Sequence, residues 1–156
     1  MKTPQTLDRA GIAARIPHRG RMCLLDSLLA WDADSVRCRA VNQADAGHPL
    51  RVEGGLLAPV AIEYAAQAMA LHGALSALPG EEPSAGFLAA ARNVTLHVPR
   101  LDEVPGALIV SATRQAGSER QALYAFALHD EGGRLLVEGR ATVVLNTPLP
   151  RAPPLS

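Results

Sequence analysis

His48-Pro49-Leu50-Arg51 leads through a glycine-containing loop into the segment Glu63-Tyr64-Ala65-Ala66-Gln67-Ala68-Met69-Ala70-Leu71-His72-Gly73. This second segment is apolar and rich in alanine, which favours a helix buried in a core. A carboxylate near the start of such a helix is costly to bury unless it is paired or used in chemistry. A histidine loop followed by a helix with one acid supplies the two groups that acid–base catalysis needs. His48 and Glu63 are therefore our candidate catalytic residues.

The segments around this helix predict an α+β protein. The helix itself is predicted from Ala58 to Leu78, because Pro59 suits a first helical turn and a Pro-Gly pair follows Leu78. A short amphipathic helix is predicted from Thr6 to Ile16. Alternating apolar residues and turn residues predict a hairpin before the long helix and a four-strand antiparallel meander after it. The predicted strands lie within Met22–Trp31, Ser35–Val41, Phe87–Pro99, Ala107–Gln115, Arg120–His129 and Arg134–Leu145.

Length and composition favour one domain without a nucleic-acid partner. At 156 residues the chain can bury one sizeable core, and we expect a single domain over residues 1–146. Residues 147–156 are rich in proline, which predicts a disordered tail. The 15 basic residues balance the 15 acidic ones, so there is no excess of positive charge for nucleic acid. Cys23 and Cys38 lack a CxxC or histidine neighbour, which favours buried thiols over a disulfide.

Signals for export, membrane insertion and metal binding are missing from the sequence pattern. The first residues, 1–6, lack the apolar core of a signal peptide. No apolar run approaches the roughly 20 residues that span a bilayer, so we expect a cytoplasmic protein without a membrane span. The five histidines show no metal-ligand spacing such as His-Glu-x-x-His. We expect neither a metal ion nor another cofactor.

Two motifs resemble the FabA/FabZ-type 3-hydroxyacyl-acyl-carrier-protein dehydratases. Ile16-Pro17-His18-Arg19-Gly20-Arg21-Met22-Cys23-Leu24-Leu25-Asp26 is similar to the family's first motif. Glu63-Tyr64-Ala65-Ala66-Gln67-Ala68 is similar to its central helix. The runs 22–26 and 62–70 more narrowly resemble the ApeP-like subgroup, which is associated with aryl polyene pigment gene clusters. The resemblance implies the hotdog fold, in which an antiparallel sheet of five to six strands wraps one long central helix.

The resemblance also implies an activity, a lyase reaction that needs neither metal nor nucleotide. The family dehydrates a 3-hydroxyacyl thioester on acyl carrier protein to the 2-enoyl thioester, in fatty-acid-like or polyene biosynthesis. By resemblance, His48 removes the C2 proton and Glu63 assists departure of the 3-hydroxyl. Each site in these enzymes combines the histidine of one subunit with the acid of its partner, which implies a homodimer with sheets joined edge to edge. The substrate-binding residues expected here are His18, Gly55, Leu57, Ala58 and Gln67.

Elementary electrostatics adds expectations for individual residues. Burial should raise the pKa of Glu63, which suits a group that protonates a leaving hydroxyl. The amides around Gly54, Gly55, Leu57 and Ala58 precede a helix N-terminus, where N–H groups favour a polarised thioester carbonyl. His72 lies on the opposite side of the helix from Glu63, so we predict a packing or interface role. Candidates for docking an acidic carrier protein are Arg19, Arg21, Arg92 and Arg100.

The histidine loop leaves other functions open. Gly47-His48-Pro49-Leu50-Arg51 stands where the family has Gly-His-Phe-Pro-Gly, so the phenylalanine and the second glycine are missing. His18 is therefore a second candidate histidine for the site. A hotdog thioesterase, in which an acid activates water, would need Glu63 but no histidine base. The altered loop also supports a non-catalytic, dehydratase-like subunit that forms a hetero-oligomer with another hotdog protein.

Overall fold

The computed structural model describes residues 4–18, 20–77, 87–118 and 120–144. In this part of the chain there are two α-helices and six strands. The predicted loop after the long helix and the proline-rich tail lie outside these residues. The helices are α1 (Arg9–Ala13) and α2 (Ala61–Leu75). The strands are β1 (Ser27–Trp31), β2 (Ser35–Ala40), β3 (Phe87–Leu96), β4 (Leu108–Gly117), β5 (Gln121–His129) and β6 (Leu135–Val144).

The six strands form one antiparallel sheet in the order β1-β2-β4-β5-β6-β3. The predicted hairpin and α+β class are confirmed, and the meander is confirmed for β4, β5 and β6. The meander is wrong for β3, which pairs with β6 at the sheet edge. Its neighbour in sequence, β4, pairs instead with β2, from Ser35↔Thr113 to Ala40↔Leu108. The long connection 97–107 allows this crossing because it is not a tight turn.

α2 packs on the inner face of the sheet and supplies much of the core. Small side chains such as Ala61, Ala65 and Ala68 are fully buried, so the sheet approaches the helix closely. The helix begins later than predicted, because Ala58–Val60 form a tighter 3₁₀ turn that contains Pro59. At the other end, the Ser76 hydroxyl donates to the His72 carbonyl at 2.7 Å. Leu78, the predicted last residue, lies outside the described part.

α1 is shorter than the predicted helix from Thr6 to Ile16. Asp8 caps its start, since Oδ1 of Asp8 accepts a hydrogen bond from the Gly11 amide at 2.9 Å. Leu7 lies before this cap in extended backbone and forms a β-bridge with Leu28. The cap therefore fixes the start of the helix at Arg9, three residues later than its hydrophobic pattern indicates.

The core also holds the two cysteines and His72. Cys23 and Cys38 are buried free thiols, as predicted. Burial raises the pKa of Cys38 to about 12, so this thiol stays protonated and unreactive. His72 is fully buried, with Nδ1 2.6 Å from the Tyr124 hydroxyl and Nε2 2.9 Å from the Asp32 carbonyl oxygen, which confirms a packing role.

Neither helix in the described part of the chain combines the length and the apolar character that a membrane-spanning helix requires.

Candidate active site

Glu63 lies in the first turn of α2, on a helix that is otherwise mostly buried. Its side chain is 35% exposed, whereas the next residues, Tyr64 and Ala65, are buried in the core. A negative charge at this end of a helix is favoured by the helix dipole. The carboxylate is thus held beside an apolar core and remains accessible from outside.

His18 contacts Glu63 within the same chain. Nε2 of His18 lies 3.1 Å from Oε1 of Glu63, and the histidine side chain is 25% exposed. The other ring nitrogen, Nδ1, is buried and has no hydrogen-bond partner among the described residues. The contact with Glu63 therefore orients the ring. The structure brings these two predicted site residues together as an accessible acid–base pair.

Gln67 connects the loop that carries His18 to α2. This loop, residues 17–24, is called the His18 loop below. The fully buried Gln67 side chain accepts a hydrogen bond from the Leu24 amide at 2.8 Å and donates to the Met22 carbonyl at 2.6 Å. Both ends of the amide are therefore occupied by backbone, and Gln67 holds the loop one helical turn from Glu63.

The pKa of Glu63 is lowered, which contradicts the expectation that burial would raise it. The hydrogen bond from His18 is the largest cause, and it outweighs the desolvation of a half-buried carboxylate. The polar side chain of Gln67, one helical turn away, lowers this pKa further. Without substrate, the carboxylate is ionised at neutral pH and faces the histidine.

His48 is buried and hydrogen-bonded at both ring nitrogens. Nδ1 accepts from the Leu50 amide at 3.0 Å, and Nε2 lies 3.0 Å from the Tyr64 hydroxyl. That hydroxyl donates to Oδ1 of Asn42 at 2.7 Å, so it accepts the proton on Nε2 of His48. Burial lowers the pKa of His48, and the ring is neutral. No described hydrogen bond or ion pair joins His48 to Glu63 in the single chain.

The loop before α2 is fixed by an aspartate that sequence reasoning missed. Oδ1 of Asp102 accepts a hydrogen bond from the Leu56 amide at 3.0 Å, and its carboxylate pairs with Arg100. Arg100 strongly lowers the pKa of Asp102. Gly55 has φ +103° and lies against the same two side chains, so any Cβ there would clash. An ordinary loop aspartate carries no sequence signal for such a long-range contact.

The amides before α2 are not equally available to a ligand. The Gly55 amide donates to the Val52 carbonyl at 2.9 Å, and the Ala58 amide donates to the Pro99 carbonyl at 3.1 Å. The Leu57 amide makes no hydrogen bond within the described part of the chain, and its residue is 43% exposed. Of the predicted carbonyl-binding amides, those of Gly54 and Leu57 therefore have no hydrogen-bond partner among the described residues, and Leu57 is the nearer of the two to α2.

The fold defines a class of protein. A six-stranded antiparallel sheet that packs against one long helix is the hotdog fold. The chain belongs to the ApeP-like family: the sequence model of that family, described as ApeP dehydratase, matches residues 10–151. None of the curated proteins matches this chain.

Solved structures support the fold. A structure of the dehydratase heterocomplex ApeI:P from Xenorhabdus doucetiae has a TM-score of 0.75 at 23% identity, and the match covers 85% of this chain and 89% of that chain. Zebra fish thioesterase superfamily member 2 has a TM-score of 0.65 at 17% identity, over 88% and 95% of the two chains. A mutant thioesterase PA1618 from Pseudomonas aeruginosa has a TM-score of 0.61 at 16% identity, over 92% and 97%.

Proposed function

We propose that this protein dehydrates a 3-hydroxyacyl thioester to the 2-enoyl thioester, with Glu63 as a catalytic residue. The observation that carries the proposal is the accessible pair of His18 with Glu63, which lies in the first turn of α2, in a chain of a dehydratase family. Dehydration needs a group that removes the C2 proton and a group that protonates the leaving hydroxyl. One acid beside one imidazole supplies both.

The open amide of Leu57 supports the handling of a thioester. It precedes the N-terminus of α2, where the helix dipole and an N–H donor stabilise negative charge on an oxygen. A thioester carbonyl placed there would gain charge as the C2 proton leaves. Gly55, Ala58 and Gln67 have their own polar partners in the chain, so we assign them to shaping the loop around the substrate.

The substrate is proposed to arrive on acyl carrier protein in the cytoplasm, for fatty-acid-like or aryl polyene biosynthesis. Arg21 supports an acidic carrier, because it is exposed on the His18 loop and its Nη1 lies 3.4 Å from the Gly47 carbonyl oxygen. By contrast, the charge of Arg100 is used by Asp102 and Glu103. Electrostatic steering toward the site would therefore come from the His18 loop.

The free edge of β3 supports assembly through the sheet. β3 pairs only with β6 in the described chain and is exposed along most of its length, with Phe87 and Leu96 at 40% and 45% exposure. A long unpaired edge with apolar side chains is a site for pairing with another chain. We propose a homodimer joined at this edge. His48→Gln and Glu63→Gln variants of this dimer compare the roles of the two residues in dehydration.

Two alternatives have specific support. The lowered pKa of Glu63 suits a thioesterase, because an ionised carboxylate activates water. The occupied ring nitrogens of His48 suit a dehydratase-like subunit that needs a second hotdog protein. A related structure is a dehydratase heterocomplex, so this partner would be another dehydratase subunit.

Incubation with a 3-hydroxyacyl carrier protein separates these functions. Mass spectrometry of the carrier measures the loss of one water, and a thiol reagent measures hydrolysis. We expect the enoyl product and no free thiol. Thiol release without dehydration would establish the thioesterase instead. No turnover alone, with turnover after co-purification with a second hotdog protein, would establish the subunit role.

A further inference from the structure

We infer that His18 is the second catalytic group of this site and exchanges a proton directly with Glu63. The inference rests on the proposed dehydration and names a residue for it. Nε2 of His18 and Oε1 of Glu63 are 3.1 Å apart, and both side chains are partly exposed. Two groups that exchange a proton must lie within hydrogen-bond reach of each other, and His18 and Glu63 meet this condition within one chain.

The position of His18 is fixed from both sides of its loop. Before it, Ile16 is buried in the core and anchors the chain. After it, a 3₁₀ turn at Gly20–Met22 leads to the two backbone groups that Gln67 binds. The Cys23 amide also donates to the Gly20 carbonyl at 3.1 Å, which tightens this turn. The loop therefore holds the histidine over the first turn of α2.

His48 lacks a ring nitrogen that is open to substrate. Its Nδ1 is used by the Leu50 amide, and its Nε2 by the Tyr64 hydroxyl. The residue is only 5% exposed. To act as a base, it would have to break a buried hydrogen bond and leave the Tyr64 hydroxyl without its donor, which is unfavourable. We assign His48 to positioning the loop before α2.

The His18–Glu63 pair completes a balanced reaction. Oε1 of the ionised Glu63 takes the C2 proton, and the C–H electron pair forms the C2=C3 double bond. The C3–O bond breaks, and Nε2 of protonated His18 gives its proton to the leaving hydroxyl, which departs as water. The pair is left as a carboxylic acid and a neutral imidazole. Transfer of the Glu63 proton to Nε2 across the same contact restores the starting state without solvent.

A His18→Gln variant tests this role against a matched control. Glutamine keeps a polar side chain near Glu63 but cannot give a proton to the leaving hydroxyl. We expect kcat for dehydration to fall at least 100-fold, at the lower end of general acid–base effects, with KM within a few-fold of wild type. The control is His97→Gln, which breaks a comparable His–Glu contact of 2.9 Å to Glu138 on the exposed sheet and should keep wild-type kcat.

Rescue by free imidazole distinguishes proton transfer from a merely structural role. In a His18→Ala variant, added imidazole should restore part of kcat, because it can occupy the position of the missing ring. A folded His18→Gln variant that keeps more than about a tenth of kcat overturns the inference, and so does a His18→Ala variant that imidazole does not rescue. A His48→Gln variant in the same assay then identifies the histidine that serves instead. Absence of dehydration in the wild type would contradict the proposed function itself.

Discussion

A Glu63→Gln variant is expected to lose dehydration by about a thousandfold, within the range of general acid–base catalysis. The amide has the shape of the carboxyl group but cannot donate or accept the proton that the reaction moves. The fold should persist, because a half-exposed charge at a helix N-terminus contributes only about 0.3–1 kcal/mol. Steady-state kcat on the acyl carrier substrate and thermal unfolding measure the two effects separately.

Glu53→Gln is the matched control for this change. It removes one exposed carboxylate from the loop before α2 and alters the net charge equally. Its kcat should stay close to that of wild type. If folded Glu63→Gln retains kcat within about tenfold of wild type, the proton transfers do not occur at Glu63.

A Gln67→Leu variant is expected to lower the free energy of unfolding by about 2–5 kcal/mol, since it leaves one buried and one partly buried backbone group without partners. These groups are the Leu24 amide and the Met22 carbonyl. Leucine is similar in size and fills the space, so the cost comes from the lost hydrogen bonds. The His18 loop loses its attachment to α2, and kcat should fall as well. Urea unfolding and turnover of the folded fraction measure both changes.

Gln115→Leu provides the comparison, because Gln115 is exposed on β4. Surface changes of this kind usually alter the free energy of unfolding by no more than about 0.5 kcal/mol. A Gln67→Leu protein as stable and as active as Gln115→Leu would show that the His18 loop is held by other contacts.

The helices and strands are largely predictable from the local sequence, whereas the order of the strands in the sheet is not. The alternation in β2 is explained by one buried face, with Val36, Cys38 and Ala40 inside. Turn residues likewise mark the connections among β4, β5 and β6. The edge position of β3 depends instead on which strands the connection 97–107 brings together, and a periodic pattern does not contain that information.

Glu63 and His18 were both candidates from the sequence, but their contact was not predictable. Glu63 is a charge on an apolar helix, and that local conflict marks it as a candidate. The contact with His18 depends on how the His18 loop returns to α2 and is held by Gln67. The pKa of Glu63 was predicted in the wrong direction for the same reason, because the histidine that lowers it is distant in sequence.

A double-mutant cycle over His18 and Glu63 tests the central claim most directly. The kcat for dehydration is measured for wild type, His18→Gln, Glu63→Gln and the double variant. Residues that act as one unit show strongly non-additive losses. If the pair shares one proton across its 3.1 Å contact, the double variant should be about as slow as the slower single variant. Losses that multiply in the double variant would contradict the account, because the two residues would then act independently.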